Sequence, residues 1–237
     1  MKYCVDVARE LFIRKGGLVD CEDLRDYPID EEIRGRTVVS PERASLLNTF
    51  PQNQGRKGAC TGFGAQTSLQ IQIIKEKRDG RIWFNGFEQW ENQKEYPGNA
   101  TDRGGDRIVN AFRALKKFGL THSMYGEEVQ YGIKRYMFFD PSVEEIKKNI
   151  NLGYVPITGA YTKFPIVDKN YIFRPNTKKT GGHCFNIVEY DDNLEIGGKK
   201  GFFVCFHNWG RWGAKKAGTF YLHYDDVNCL FRSWIIE

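Results

Sequence analysis

Six cysteines and four histidines are the side chains of this 237-residue chain best suited to nucleophilic or metal chemistry. A cysteine attacks as its thiolate, and a helix N-terminus beside an imidazolium favours that form. Among Cys4, Cys21, Cys60, Cys184, Cys205 and Cys229, Cys60 stands apart, because glycine and polar residues surround it where the loop 51–59 meets a helical pattern. The unpaired N–H groups of such a helix start also suit an oxyanion. Cys184 and Cys205 lie in apolar, strand-like runs and read as small buried hydrophobes. No two cysteines form a C-x-x-C pair, so neither a zinc site nor a thioredoxin-type motif is indicated. A base must come from elsewhere in the chain. His183 follows Gly181-Gly182 and opens an apolar strand, where it can face a cleft, whereas His122 and His223 are expected at the surface. A third group should orient the base. Asn208 ends an apolar run and precedes Trp209, so an amide oxygen can accept the imidazole N–H and an indole can shield that bond. Each reading has an ordinary structural rival: a histidine satisfied by local backbone, or a tryptophan packed in a core. Cys205 and His207 share a strand face, but no further ligand has the spacing a metal needs.

The elements that must position these residues follow from pattern. Residues 60–77 read as a helix that ends in a charged run, and 105–118 as a second, with Ile108, Phe112 and Leu115 as its apolar stripe and Gly119 as its stop. Residues 143–150 read as a third, with Ser142 as N-cap and Glu144 and Glu145 in the first turn. Beyond it, 154–161, 184–190, 201–207 and 218–224 are short β-branched or aromatic runs, with turn signals at Asp191-Asp192-Asn193 and Gly197-Gly198. Helices in the first half and antiparallel strands in the second make an α+β fold, for which two unlike lobes with a cleft between them are a natural outcome. The first 45 residues are charge-rich and read as a short helix and loops that extend the body formed by 46–237.

Composition narrows the function classes. A hydrophobic content of 41% with 27% charged residues fits a globular chain that builds its core without disulfides. The formal charge of +5 is mild, and no segment is basic enough for a nucleic-acid footprint, so no nucleic acid is expected as partner. Lys2, Asp6, Arg9 and Glu10 interrupt the N-terminal apolar residues, and no run reaches bilayer length. Neither a signal peptide nor a membrane partner is expected, and a cytoplasmic location is the default. Oligomeric state is not legible.

The separate signals join in a family resemblance. Gln54-Gly55-Arg56-Lys57-Gly58-Ala59-Cys60-Thr61 resembles the Q-G-x-x-G-[SA]-C segment of papain-like cysteine peptidases, closest to microbial and viral members with Thr after the cysteine. Gly181-Gly182-His183-Cys184 through Val188-Glu189-Tyr190-Asp191 is similar to their G-G-H-A-x-x-x-V-G-Y-D, and His207-Asn208-Trp209-Gly210 through Trp212-Gly213 and Gly218-Thr219-Phe220 to their N-S-W-G-x-x-W-G-x-x-G-Y-F. The likeness covers roughly residues 45–237. It implies a helical left lobe, an antiparallel β-barrel-like right lobe and a cleft between them. It also implies peptide hydrolysis through an acyl-enzyme, with Cys60 as nucleophile, His183 as base, Asn208 as orienter, Gln54 at the oxyanion, a polypeptide substrate and no metal or organic cofactor. Asp102-Arg103-Gly104-Gly105-Asp106-Arg107 resembles the family's N-G-G segment. Gly105 would then pair its backbone with substrate beside Gly104, with Asp106 and Arg107 bordering the pocket two residues before the scissile bond; Gly182 and Trp209 are further substrate-binding candidates. The chain departs from the pattern at Thr61, in place of tryptophan, and at Lys57, in place of a disulfide cysteine. It is also one residue out of register around Trp209, so holding Trp-Gly fixed would give the orienting role to His207. A short pro-segment in residues 1–45, a silent peptide-binding or virion structural protein, and an acyl transferase or amidohydrolase with the same triad are the alternatives.

Overall fold

The computed structural model describes residues 29, 35–36, 40–96, 105–124, 127–176, 181–214 and 216–237. Most of the N-terminal extension therefore lies outside the described residues, as does Gly104. Helix α1 (Cys60–Lys77) has the expected bounds. It is buried along most of its length, and Leu69 and Ile74 pack with Phe112 and Leu115 of α3 (Ile108–Phe118). Between them lies α2 (Gly86–Glu95), which the sequence reading did not include. Its apolar pattern is thin, but Asn85 caps it by accepting from the Phe87 N–H at 2.9 Å. The pattern Asn85-Gly-Phe-Glu88 has the spacing of a capping box, the signal that marks this start. Helix α3 begins at Ile108 rather than at 105, because Arg107 is extended and Asp106 bonds sideways into the lobe. Helix α4 (Val143–Leu152) starts where expected, with Ser142 Oγ accepting from Glu145 N at 3.1 Å.

The second half supplies most of an eight-stranded antiparallel sheet. In chain order the strands are β1 (Arg43–Ser45), β4 (Tyr136–Phe139), β5 (Ile157–Val167), β6 (Phe173–Pro175), β7 (Gly182–Ile196), β8 (Lys199–Phe206), β9 (Thr219–His223) and β10 (Ser233–Ile236). The spatial order is β4-β10-β5-β7-β8-β9, with β1 paired to β7 and β6 to β5. A separate hairpin joins β2 (Leu120–Met124) to β3 (Glu127–Tyr131). The expected barrel does not form: among the described residues the end strands β4 and β9 do not pair, and the sheet stays open. The anticipated turn at Asp191-Asp192-Asn193 also does not form. β7 runs through it with a register shift between Asp191 and Glu195 and turns at Gly197-Gly198, where φ is positive at both glycines.

Strand alternation divides β7 between two cores. Phe185 and Ile187 join Ile146 and Ile150 of α4, Phe203 and Phe220. Cys184 joins α1 and α3 on the opposite face, with Ile157 and Trp234. Each fully buried side chain of this size contributes about 1.5–3 kcal/mol relative to exposure. The close approach of α1 to the sheet depends on Gly64: a Cβ there would stand 2.6 Å from Ile157 Cδ1 and 3.1 Å from Cys184 Sγ. Asn186 fixes the contact, donating to Gly64 O at 3.0 Å and Ser68 Oγ at 2.8 Å. His122 and His223 are buried, not at the surface as expected. The His122 ring meets the Trp83 backbone, and His223 Nδ1 accepts from Asp225 N while Nε2 meets Lys200 O. Among the described residues no helix is long and apolar enough to cross a membrane.

Candidate active site

Cys60 is the first residue of α1, and the close packing at Gly64 places it against β7. Its sulfur faces three backbone N–H groups: those of Cys184, Thr61 and Cys60 itself. Cys184 is the neighbour of His183, so the Cys60 sulfur lies against the residue next to that histidine, where the helix tip abuts the start of β7. Ala59 supplies no side-chain cap, which leaves the first-turn N–H groups to the sulfur and to any oxyanion beside it. The three N–H groups favour a thiolate, but burial prevails: Cys60 is fully buried and its thiol pKa is pushed up to about 12. The thiolate expected from a helix start is therefore not the resting form.

His183 does not line an open cleft either. It is only 2% exposed because the Trp209 indole stacks on its ring, with centroids 3.9 Å apart and planes at 16°. Burial, with the charge of His207 as a smaller contribution, lowers the His183 pKa to about 3. Thiol and imidazole thus rest as a neutral pair. His183 Nε2 is buried without a hydrogen-bond partner, and so are both amide atoms of Asn208. The bond expected from the imidazole to Asn208 is not made in this conformation. His207, the alternative orienter, has both ring nitrogens engaged: Nδ1 accepts from Trp209 N at 3.1 Å, and Nε2 lies 3.0 Å from Trp212 O. It is a core histidine satisfied by local backbone.

Gln54 is tied to the same corner. Its N–H donates to Asn208 O at 2.9 Å, next to the bridge between Asn53 and Trp209. The Gln54 amide Nε2 donates to Lys57 O at 2.8 Å, which occupies one of its two hydrogens and leaves the second. Gly182 is buried opposite Tyr161, Gly105 is buried before α3, and Arg107 is partly exposed. Asp106, expected to border a pocket, is 1% exposed. Its carboxylate accepts from Gln93 Nε2 at 2.6 Å, Asn110 Nδ2 at 2.8 Å and Arg107 N at 2.7 Å.

One cavity adjoins these residues. It has a volume of about 540 Å³ and is lined by Asn53, Gly55, Pro165–Val167, Trp209 and Trp212. Trp212 stacks on His207 at 4.2 Å and lies 6.2 Å from Trp209 at 18°, so the cavity wall continues the stack that begins on His183. The sequence reading gave Trp209 a place at the site, took Trp212 only as part of the family motif or as core packing, and pointed to nothing at the end of β5; the W-x-x-W spacing is the signal for the paired indoles. Among the described residues no group of three acidic, cysteine or histidine side chains is placed to hold a metal.

No family model matches the chain, and no curated protein matches it. Solved structures do. Xylellain, a cysteine protease from Xylella fastidiosa, superposes with a TM-score of 0.75 at 19% identity, over 94% of this chain and 95% of that one. Procathepsin B from Trypanosoma congolense gives 0.72 at 11% identity, over 95% and 87%. The cysteine protease and lectin-like domains of Cwp84 from Clostridium difficile give 0.76 at 16% identity, over 99% of this chain and 58% of that one. With the segregated helical half, the open antiparallel sheet and a cysteine-headed helix set against a histidine-bearing strand, the chain has the fold of the papain-like cysteine peptidases.

Proposed function

We propose that this chain is a cysteine peptidase that cleaves polypeptides through an acyl-enzyme on Cys60. The observation that carries the reading is the placement of the Cys60 sulfur at a helix tip, against the N–H of the residue next to His183. From the neutral pair, the thiol proton passes to His183 as the sulfur attacks the carbonyl carbon. The Cys60 N–H and the free hydrogen of the Gln54 amide hold the oxyanion. His183 returns the proton to the departing amine, then takes one from the water that releases the acyl group. Trp209 keeps water from the imidazole. The buried, unpartnered Asn208 amide becomes the orienter once the ring turns toward it.

The cavity next to the imidazole stack bears on substrate. A peptide residue held there sits beside the base that protonates the leaving amine, so it is the residue just after the scissile bond. The apolar walls fit a bulky apolar or aromatic side chain. Treatment with an epoxide thiol reagent, followed by mass-spectrometric mapping, is expected to find the adduct on Cys60. Cleavage-site mapping on a peptide library is expected to enrich Phe, Leu or Trp after the cut. Failure of Cys60 to label rejects the reading.

One observation favours a second reading, a peptide-binding protein with this fold and no turnover: the neutral pair and the unmade Asn208 bond leave the catalytic groups unassembled at rest. Paired variants test the assembly. Asn208→Ala is expected to lower kcat by roughly 10- to 100-fold, the range for a group that orients a general base, with His207→Gln within about threefold of the parent in the same assay. The reverse ranking moves the orienting role to His207.

A further inference from the structure

The residue after Gly105 carries a carboxylate turned away from solvent. Asp106 has three donors on its two oxygens, and all three are neutral: the Gln93 and Asn110 amides and the Arg107 backbone N–H. Gln93, fully buried, is shared. Its Nε2 also lies 3.1 Å from Thr61 Oγ1, and the Thr61 hydroxyl lies 3.4 Å from Gln93 Oε1. Thr61 follows Cys60 in the first turn of α1. The helices are pressed together here: a Cβ on Gly62 would stand 3.1 Å from the Trp90 backbone and 3.3 Å from Gln93 Oε1. A continuous path of buried hydrogen bonds therefore runs from the nucleophile's turn through α2 to the residue beside Gly105. Asp106 also stands at the head of α3, where the N-cap Arg107 makes no side-chain capping bond. The carboxylate accepts from the Arg107 N–H just before the helix and from the Asn110 side chain in its first turn, which fixes the entry angle of the segment.

We propose that Asp106 is a positioning residue that holds the Gly105 backbone at a set distance from the Cys60 turn, so that an extended peptide is registered against the sulfur. This rests on the peptidase reading and on the pairing of Gly105 with substrate that the family resemblance implies. A carboxylate suits the task because it is acceptor-only and can meet three converging donors. An alanine there takes the acceptor away from all three donors, and the segment is free to move relative to α1. Asparagine keeps one acceptor oxygen for Arg107 N and Asn110, and its amide can meet a turned Gln93.

The test uses the full chain and two substrates: a peptide with four residues before the scissile bond, and an ester with one, too short to reach Gly105. For Asp106→Ala, KM for the long peptide is expected to rise about tenfold, at least five times the change on the short ester. Asp106→Asn is expected to recover most of the difference. In the Cys60→Ala background, where nothing turns over, Kd for the long peptide should weaken about tenfold on adding Asp106→Ala. Equal losses on both substrates, or an unchanged Kd, overturn the proposal. Should Asp106→Ala not fold, Gln93→Leu cuts the same path one bond earlier. A threefold or greater rise in KM for the long peptide is expected there, and a KM equal to the parent's overturns the proposal. A parent that cuts neither substrate, yet binds the peptide tenfold more tightly than the Asp106→Ala form, refutes the peptidase reading and leaves the positioning role standing. A parent that neither cuts nor binds refutes both.

Discussion

Replacing Cys60 with alanine is expected to reduce peptide hydrolysis by roughly four orders of magnitude or more, the scale seen when the nucleophile of an acyl-enzyme mechanism is removed. The fold should survive. Cys60 is fully buried, and its sulfur is held by backbone N–H groups at a helix tip. Loss of one buried sulfur costs about 1 kcal/mol, on the scale of a removed buried methylene. Circular dichroism and thermal melting should therefore match the parent within a few degrees while turnover disappears. Activity that persists in Cys60→Ala protein, freed of parent enzyme, would remove the cysteine from the mechanism. The parent should also react slowly with iodoacetamide at pH 6 and faster as pH rises, because a thiol pushed up to about 12 gains thiolate with every unit of pH.

The second large effect is a loss of stability in mild acid. Burial lowers His183 from its ordinary 6.5 to about 3 and His207 to about 4. Both values are lower in the folded chain, so below pH 6.5 the unfolded chain binds more protons and stability falls as pH drops. Above pH 6.5 both states hold these rings neutral, and the pair contributes no slope. Each histidine removes about 1.4 kcal/mol per pH unit within its window. Between pH 6.5 and 4 the two together remove on the order of 7 kcal/mol, against a total stability of about 5–15 kcal/mol for an ordinary domain. Acid unfolding with a midpoint between pH 4 and 5 is the expected result. Glu189, held below its ordinary value by Lys216 and Arg43 against the opposing effect of burial, begins to add to the loss as pH falls through its ordinary 4.5. Melting temperature measured at half-unit steps from pH 7 to 4 provides the check, and His207→Gln should remove about half of the slope. A melting temperature level across that range would show that neither ring is held neutral by the fold.

Much of this was legible in the chain. The bounds of α1 followed from the change of composition at Cys60 and the charged run at its end, both local signals. Ser142 announced α4 through cap chemistry that needs no partner. The strands were placed by β-branched and aromatic runs, but their lengths were not: β7 extends through Asp191-Asp192-Asn193 because Arg43 of β1 and Lys147 of α4 meet those carboxylates, partners distant in sequence. The open sheet, the buried His122 and His223 and the closed His183 site are likewise tertiary outcomes, set by what packs on a segment and not by the segment itself. The protonation of the site was the hardest to read. A helix tip favours a thiolate, yet the depth at which α1 meets the sheet reverses the sign, and depth has no signature in one stretch of sequence. Helix α2 was missed for the opposite reason. Its capping box is plain, but its burial depends on Trp90, Gln89 and Gln93, two of them polar residues that no hydrophobic pattern selects.

β7 offers successive side chains, Cys184 and Phe185, to two different cores, and β10 does the same with Trp234 and Ile235. Among the described residues the two cores are thus joined through the strands they share. To part the two cores, each shared strand would have to surrender every second residue to water. Uncovering the His183 ring then falls to the swing of the Trp209 indole stacked on it, while the planks beneath stay nailed to both sides.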